Sequence, residues 1–497
     1  MPTLHWIGKE KIINHHQDVP YRILDHNYTY KNGQETKDSF SENKIIHGDN
    51  LEALKSLLPE YEGKINCIYI DPPYNTGNEG WVYNDNVSHP KLKKWLGEVV
   101  GKESEDLTRH DKWLCMMYPR LKLLHKLLSD DGVIFISIGE DEISNLKTLC
   151  DEIFGSLNKC GIISRVMKSG GNKGNFFSPN IDYVLVYSRD VSKVSDFKAK
   201  MDQNLVKKLY NQVEKEGSRK GEKYRAFGLY QSTLDARPNQ RYFIECPDGS
   251  LVIPPGKKMP ENKKDGSKVL PEKNDGCWRW SAERYILERE KGNIVFKKTK
   301  NKVLIDTNGN PAKWNIYTKI WLKERQDQGQ TPTNLITEFE NRHGSKELLK
   351  FGIKFDYAKP SKLVEYLINI AIKDKNAIIL DSFAGSGTTA HSVLKLNQED
   401  NGNRKFILIE MEDYANTITA ERVKRVINGY GEGKNMVEGT GSDFSYYSLG
   451  KPLFLENNLL NEEVPLSKIE EYVWYSETKT SYFPQKEQYL LGKKDST

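Results

Sequence analysis

An α/β fold, doubly wound around a mostly parallel sheet that an inserted domain divides, is predicted by three features of the sequence. Short apolar runs alternate with helix-period stripes in the N-terminal part, and the same alternation returns after Arg342. Between them lies a stretch of different texture, rich in Gly, Asn, Lys and Pro. With 497 residues the chain exceeds what one hydrophobic core usually serves, so two or three lobes are expected.

Ile65 to Ile70 is the first clear apolar run, and Val133 to Ile138 follows the turn signal Asp130-Asp131-Gly132. Between them Trp113, Leu114, Met117, Leu121, Leu124 and Leu128 recur at helical spacing. Ile143, Leu146, Cys150, Ile153 and Phe154 repeat that pattern after the second run. From about Cys160 to Arg342 only brief strand-like pieces stand out: Asp182 to Tyr187, Arg241 to Glu245 and Asn293 to Lys297. A helical stripe then returns at Leu363, Val364, Leu367, Ile368, Ala371 and Ile372, followed by strand-like Ala377 to Leu380 and Phe406 to Ile409. The divisions are an N-terminal extension (1–40), two halves of one α/β domain (41–160 and 343–437), the insertion (161–342) and a C-terminal extension (438–497).

Composition narrows the class. A hydrophobic fraction of 37% with 29% charged residues excludes a disordered chain. The net charge is +5, from 74 Lys+Arg and 69 Asp+Glu, too small to indicate a polyanionic partner by itself. Its distribution says more: Lys257 to Lys302 holds fourteen Lys/Arg against seven Asp/Glu, interleaved with Trp278, Trp280, Tyr285 and Phe296. Such a run is either a solvated face or a nucleic-acid-facing surface. The six cysteines form no close pair, so reduced core thiols are expected rather than a disulfide framework or a metal site. No window approaches the roughly 18 apolar residues of a membrane span. Met1 to Asp18 is polar, and a cytoplasmic protein without membrane partners is expected.

Several apolar runs end in, or just before, an acid: Asp49, Asp71, Asp381 and Glu410. Ligands of open α/β sheets bind outside the carboxyl ends of the strands, so these acids are placed to converge, although each alone also suits a helix cap or a turn. The segment Asp381-Ser382-Phe383-Ala384-Gly385-Ser386-Gly387-Thr388-Thr389 joins a strand to a helix-capable stretch. Its glycines permit a tight turn and close backbone approach to a ligand. Thr388 stands where a phosphate-binding loop of the Walker type requires Lys, which disfavours that reading. An acid about 20 residues beyond such a loop suits ribose hydroxyls, and Glu410 lies at the end of the next strand.

Asp71-Pro72-Pro73-Tyr74 is the most specific feature. Two successive prolines remove two backbone donors and stiffen the loop, leaving an edge of acceptors at the Asp71 carboxylate and the Pro72 carbonyl. The lone pair of an amino group on a nucleobase is delocalised into the ring. Two acceptors on its hydrogens favour rehybridisation towards an electrophilic methyl group, and Tyr74 offers a stacking face for a base taken out of its helix.

These residues resemble the amino-methyltransferases of DNA, which combine an Asp-Pro-Pro-Tyr loop with a Phe-x-Gly-x-Gly loop. The catalytic loop here precedes the cofactor loop with an insertion between them, which resembles the circularly permuted β-class order. Ile46-His47-Gly48-Asp49-Asn50-Leu51, Asp71 to Gly77, Trp113 to Leu121 and Asp381 to Thr389 are similar, more closely, to modification subunits of type III restriction-modification systems. That resemblance implies an S-adenosylmethionine-dependent methyltransferase fold with an inserted target-recognition domain. It implies transfer to the N6 amine of adenine in double-stranded DNA, adenine being favoured because the loop begins with Asp. It makes Asp71, Pro72, Pro73 and Tyr74 the catalytic loop, places Asp381, Phe383, Gly385 and Gly387 around the cofactor, and sets Glu410 on the ribose. Asp49 is then a candidate for the adenine edge of the cofactor, with Lys359 and Ser361 closing over its methionine end. A homodimer and a helicase-nuclease restriction subunit are the implied partners. Such subunits are expected to extend well beyond Thr497, so the chain reads as a truncated or shortened form. The rival readings are a non-catalytic DNA-recognition scaffold serving a nuclease, and an N4-cytosine or RNA amino-methyltransferase.

Overall fold

The computed structural model describes residues 3–77, 94, 97–98, 108–170, 176–201, 203–431, 433, 436–455, 457, 459–483 and 491–492. They form two compact units, one of residues up to Phe197 and from Pro332 onward, the other Lys198–Thr331.

The first unit is built on an eleven-stranded sheet. Its strands in chain order are β1 (Arg22–Lys31), β2 (Gln34–Thr36), β3 (Lys44–His47), β4 (Ile65–Ile70), β5 (Leu128–Ile138), β6 (Lys159–Val166), β7 (Ile181–Ser188), β8 (Leu335–Ile336), β9 (Ile378–Asp381), β10 (Lys405–Glu410) and β11 (Phe444–Pro452). The helices that frame the site are α1 (Asn50–Tyr61), α2 (Arg109–Leu127), α3 (Ile143–Cys150), α4 (Asn341–Lys350), α5 (Ser361–Ala371), α6 (Thr388–Asp400) and α7 (Glu421–Asn428). The sheet runs β8-β6-β7-β5-β4-β9-β10-β3-β11-β1-β2. Every neighbouring pair from β5 through β11 is parallel, whereas β7 is antiparallel to β5 and β1 to β11. This is the mostly parallel α/β architecture that the alternating pattern predicts.

The central strands are apolar almost throughout because both of their faces are covered. In β4 only Asn66 is partly exposed, and its Oδ1 accepts the Ile378 amide at 2.9 Å, tying β4 to β9. Leu54 and Leu57 of α1, Trp113, Leu121 and Leu124 of α2, and Ile68, Ile70, Ile134 and Ile136 of the strands share one buried cluster.

The topology decides where a ligand goes. From β4 the chain moves through α2 to β5 on one side, and from β9 it moves through α6 to β10 on the other. Adjacent β4 and β9, paired with Cys67 opposite Ile379 and Ile68 opposite Leu380, therefore flank a topological switch point. Asp71 and Asp381 stand at its rim.

Three local expectations change. Asp130-Asp131-Gly132 does not precede a strand but lies within β5. Ile65 pairs with Leu128 and Cys67 with Val133, so the turn-forming residues bulge out of a ladder that continues past them. Leu128 belongs to that strand rather than to the helical stripe. In the basic-aromatic run, Trp278 and Tyr285 are fully buried, so they build a core instead of a surface.

The unit Lys198–Thr331 has its own four-stranded antiparallel sheet, in the order Ile294–Lys298, Trp314–Trp321, Lys223–Gly228, Gln212–Val213. Leu229, Tyr242, Ile244, Trp278 and Tyr285 form its core. Buried Arg241 cross-links it through the carbonyls of Pro254 (2.8 Å), Lys258 (2.7 Å) and Gly276 (2.7 Å). Arg279 lies 4.5 Å from the Phe227 ring centre and Arg284 lies 4.7 Å from that of Trp280. Strand β6, most of it within the range 161–342, and β7 and β8, wholly within it, pair into the large sheet, as does β11 of the C-terminal segment.

Gly344 in α4 carries the Ala358-Lys359 backbone. A Cβ there would fall 2.2 Å from the Ala358 carbonyl oxygen, closer than backbone atoms permit. Gly344→Ala is expected to destabilise the protein by about 1–3 kcal/mol through overpacking, seen as a lower urea midpoint by circular dichroism. An unchanged midpoint would show that this approach is not tight.

Candidate active site

The Asp71-Pro72-Pro73-Tyr74 loop leaves the end of β4 and is held at each residue that can be gripped. The Pro73 carbonyl accepts the Trp113 indole N–H at 2.7 Å. Asn75, at φ 56°, donates to the Arg109 carbonyl at 3.1 Å and to buried Glu142, which also engages His110 Nδ1 at 2.6 Å. The Tyr74 hydroxyl donates to Asp182 Oδ2 at 3.0 Å, and Arg165 grips Asp182 in turn, with Nε 2.8 Å from Oδ1 and a second nitrogen on Oδ2.

Asp71 is paired with Lys359, whose ammonium lies 2.8 and 2.7 Å from its two oxygens and 4.7 Å from the centre of the Tyr74 ring. Burial pushes the Asp71 carboxyl above the usual carboxylate range, and the neighbouring ammonium opposes that rise.

The second loop is shaped by its own acids. Asp381 accepts the Phe383 amide at 3.0 Å and the Thr389 hydroxyl at 2.5 Å, closing the turn on the first residues of α6. Gly385 donates its amide to Glu410 Oε2 at 2.7 Å, while its carbonyl accepts from Thr419 Oγ1 at 2.5 Å. Gly387 has φ 82°, a left-handed conformation that favours glycine, and a Cβ there would lie 3.0 Å from the Thr419 carbonyl. Burial pushes Asp381 up to about 7, with the Asp71 charge adding to the rise. Glu410 is pushed up to about 8 by burial, against the Glu412 and Gly385 amides that hold its ionised form.

Asp71, Lys359, Asp381, Phe383 and Gly385 line one cavity, closed over by Phe355, Tyr357 and Ala358. The site thus joins both loops and the Lys359 segment. Other candidates are engaged differently. Asp49 caps α1, with Oδ1 accepting from Leu51 (2.9 Å) and Glu52 (3.2 Å) and Oδ2 lying 3.5 Å from Arg120. Ser361 faces Glu347, donating its hydroxyl at 3.0 Å and its amide at 3.1 Å. Glu410 supports the cavity from beneath Gly385.

Several supporting residues left no mark in the motifs. Arg422, fully buried on α7, binds the Ser386 and Thr388 hydroxyls at 2.8 Å each and so anchors the glycine loop from another helix. Arg120 bonds Asn50 Oδ1 at 2.5 Å, and Asn50 donates to the Ser382 carbonyl at 3.1 Å. That chain links α2 to the Ser382 carbonyl through Asn50. Asp182 and Arg165 are ordinary strand positions in the sequence.

The buried acids make stability depend on pH in a definite direction. Below its ordinary value of 4.5, Glu410 carries its proton in both folded and unfolded chains. As pH rises the unfolded chain releases the proton first, so the folded state loses this advantage until Glu410 itself ionises near pH 8. Asp381 acts alike between 3.8 and about 7. Ligand-free protein is therefore expected to lose stability across these windows. Glu410→Gln should flatten the fall above pH 7 in particular, read from urea unfolding at several pH values.

Comparison with known proteins follows the same segments. The chain is 32% identical over 432 residues to the EcoPI Mod subunit of a type III restriction-modification enzyme from Escherichia phage P1, covering 83% of this chain and 64% of that protein. It is 31% identical over 448 residues to the EcoP15I Mod subunit of Escherichia coli, with the same two shares. It is 32% identical over 376 residues to the type II methyltransferase M.KpnI of Klebsiella pneumoniae, covering 74% of this chain and 80% of that one. The chain thus spans just under two thirds of the length of the two Mod subunits. The DNA methylase family model matches residues 65–421, a range that contains Asp71, Lys359, Asp381 and Glu410. The chain belongs to the DNA methylase family.

Proposed function

We propose that this chain transfers a methyl group from S-adenosylmethionine to the exocyclic N6 amine of adenine in double-stranded DNA, as the modification subunit of a type III restriction-modification system. The observation that carries the proposal is the single cavity shared by Asp71 and the Asp381 to Gly385 loop. An acceptor for an amine and a cradle for an adenosine-type ligand meet across one switch point.

The residues fit that cofactor. Buried Asp381 is an acceptor for hydroxyl and amino donors, the Gly385 and Gly387 turn, held by Glu410, brings backbone close, and Phe383 adds an apolar wall. When bound, the cofactor supplies an electrophilic methyl group on sulfur. The chain's part is positioning: the Asp71 carboxylate and the Pro72 carbonyl accept the two amine hydrogens, and the Tyr74 ring stacks on the flipped base. The amine competes with the Lys359 ammonium for Asp71, so an ionised Asp71 is needed throughout.

Target reading is assigned to the 161–342 region, whose compact part is Lys198–Thr331. Its lysines would bind phosphates and its other polar groups would read base edges. The names of the Mod relatives support a restriction subunit as partner, and a homodimer and a cytoplasmic location complete the reading. Among the described residues no helix is long and apolar enough to cross a membrane.

Purified protein incubated with tritiated S-adenosylmethionine and duplex DNA is expected to label adenine, and long-read sequencing of the product to give one recurrent site. Asp71→Ala should lower the rate by about 10²-fold or more while leaving the fold intact by circular dichroism. Label on cytosine alone, label on RNA alone, or none with active cofactor-bound protein would each refute the proposal.

Lys359→Met removes the cation that favours ionised Asp71. The acid limb of the kcat/KM profile is expected to move to higher pH in that variant, because the carboxylate then ionises later. An unmoved limb would mean that Asp71 ionisation does not control the rate.

A further inference from the structure

Tyr74 has a side-chain partner outside the loop that the chemistry itself does not require. Its hydroxyl reaches Asp182 Oδ2 at 3.0 Å. Asp182 is 1% exposed and Arg165 is 0% exposed. The two lie directly opposite each other on β7 and β6 and form a bidentate pair. Arg165 places two further donors on the Phe339 carbonyl at 2.7 Å and Asn341 Oδ1 at 2.9 Å.

A buried ion pair is a poor source of stability, since the desolvation of both charges offsets their attraction, and apolar residues of similar volume often serve as well. A cross-strand pair needed only to join β6 and β7 would not have to present an oxygen to Tyr74. Here the carboxylate is clamped on two sides by one guanidinium, and its Oδ2 is aimed at the phenol. Burial and the charge of Asp182 hold the phenol in its neutral, donating form. The ring is also bounded by neighbours. Lys359 stands 4.7 Å from its centre, and a Cβ on Gly139 would fall 3.0 Å from Tyr74 Cδ2. Confinement alone leaves the ring free to tilt about its Cα–Cβ bond. The hydroxyl bond removes that freedom.

We infer that Asp182 and Arg165 are positioning residues that fix the direction of the Tyr74 ring axis before a nucleobase arrives, the neighbours of the ring setting its plane. The inference rests on the proposed methylation of flipped adenine and deepens it. A ring held at its far end offers a base a ready stacking platform, so the ordering of that ring is completed on folding instead of on binding. Asp182 acts only through the Tyr74 hydroxyl, and Arg165 acts only through Asp182.

A four-corner mutant cycle tests this. Wild type, Tyr74→Phe, Asp182→Ala and the double variant are compared for kcat on duplex DNA carrying the site mapped above, and for flipping on the same duplex with 2-aminopurine in place of the target adenine. Each single variant is expected to lower kcat about tenfold and reduce the flipping signal, with KM for S-adenosylmethionine unchanged. The double variant should be no worse than the weaker single variant, since both changes break one bond. Replacing the whole pair by Arg165→Leu with Asp182→Leu keeps the strands joined without a buried unpaired charge, and should reproduce the Tyr74→Phe kinetics. Effects that multiply in the double variant would overturn the inference, as would flipping and kcat equal to wild type in Asp182→Ala. A wild-type chain that methylates no DNA would overturn the functional reading itself, and is distinguished by the first corner of the cycle.

Discussion

The parallel pairing of β4 with β9 is the constraint on which the rest of the site depends. It sets Ile68 beside Leu380 and leaves Asp71 and Asp381 at the same rim, although the whole insertion separates them along the chain. Once the strands are in register, each loop turns away from the other and a crevice opens between them. The Trp113 indole, the Asn75 amide and the Arg422 guanidinium then only have to hold loops whose starting points are already given.

That placement has an electrostatic cost. Asp71, Asp381 and Glu410 are all buried, and each is pushed above its ordinary range by burial. Asp71 and Asp381 also repel one another when both are ionised. The fold relieves this unevenly. Asp71 receives a full ammonium, Glu410 receives two backbone amides, and Asp381 receives one amide and one hydroxyl. Asp71 is thus the acid with a full counter-charge, whereas Asp381 and Glu410 are held by uncharged donors alone.

The strands around the site were legible in the sequence because their apolar runs are short, nearly unbroken and followed by an acid. Asp71 to Tyr74 was legible because two prolines beside an acid and a tyrosine have few other uses. The supporting residues were not. Arg165 and Asp182 sit in strands whose side chains alternate in the ordinary way, and a pair that forms across strands leaves no trace in either one alone. Arg422 lies in a basic amphipathic helix, where nothing distinguishes a buried guanidinium from an exposed one. Asp130-Asp131-Gly132 misled for the opposite reason: it has turn chemistry, but the pairing of β4 and β5 on both sides of it is strong enough to carry the strand past.

The place of β11 in the sheet has a consequence for how the chain is assembled. This strand lies between β3 and β1, parallel to one and antiparallel to the other. The β1–β2 hairpin, made long before Phe444–Pro452, therefore has no seat on the sheet until that strand has emerged. Until then β1 and β3 each present an unpaired edge, the kind of surface that recruits other strands. Such long-range closure is slow, and the seam between β1 and β3 stays open until Phe444–Pro452 fills it.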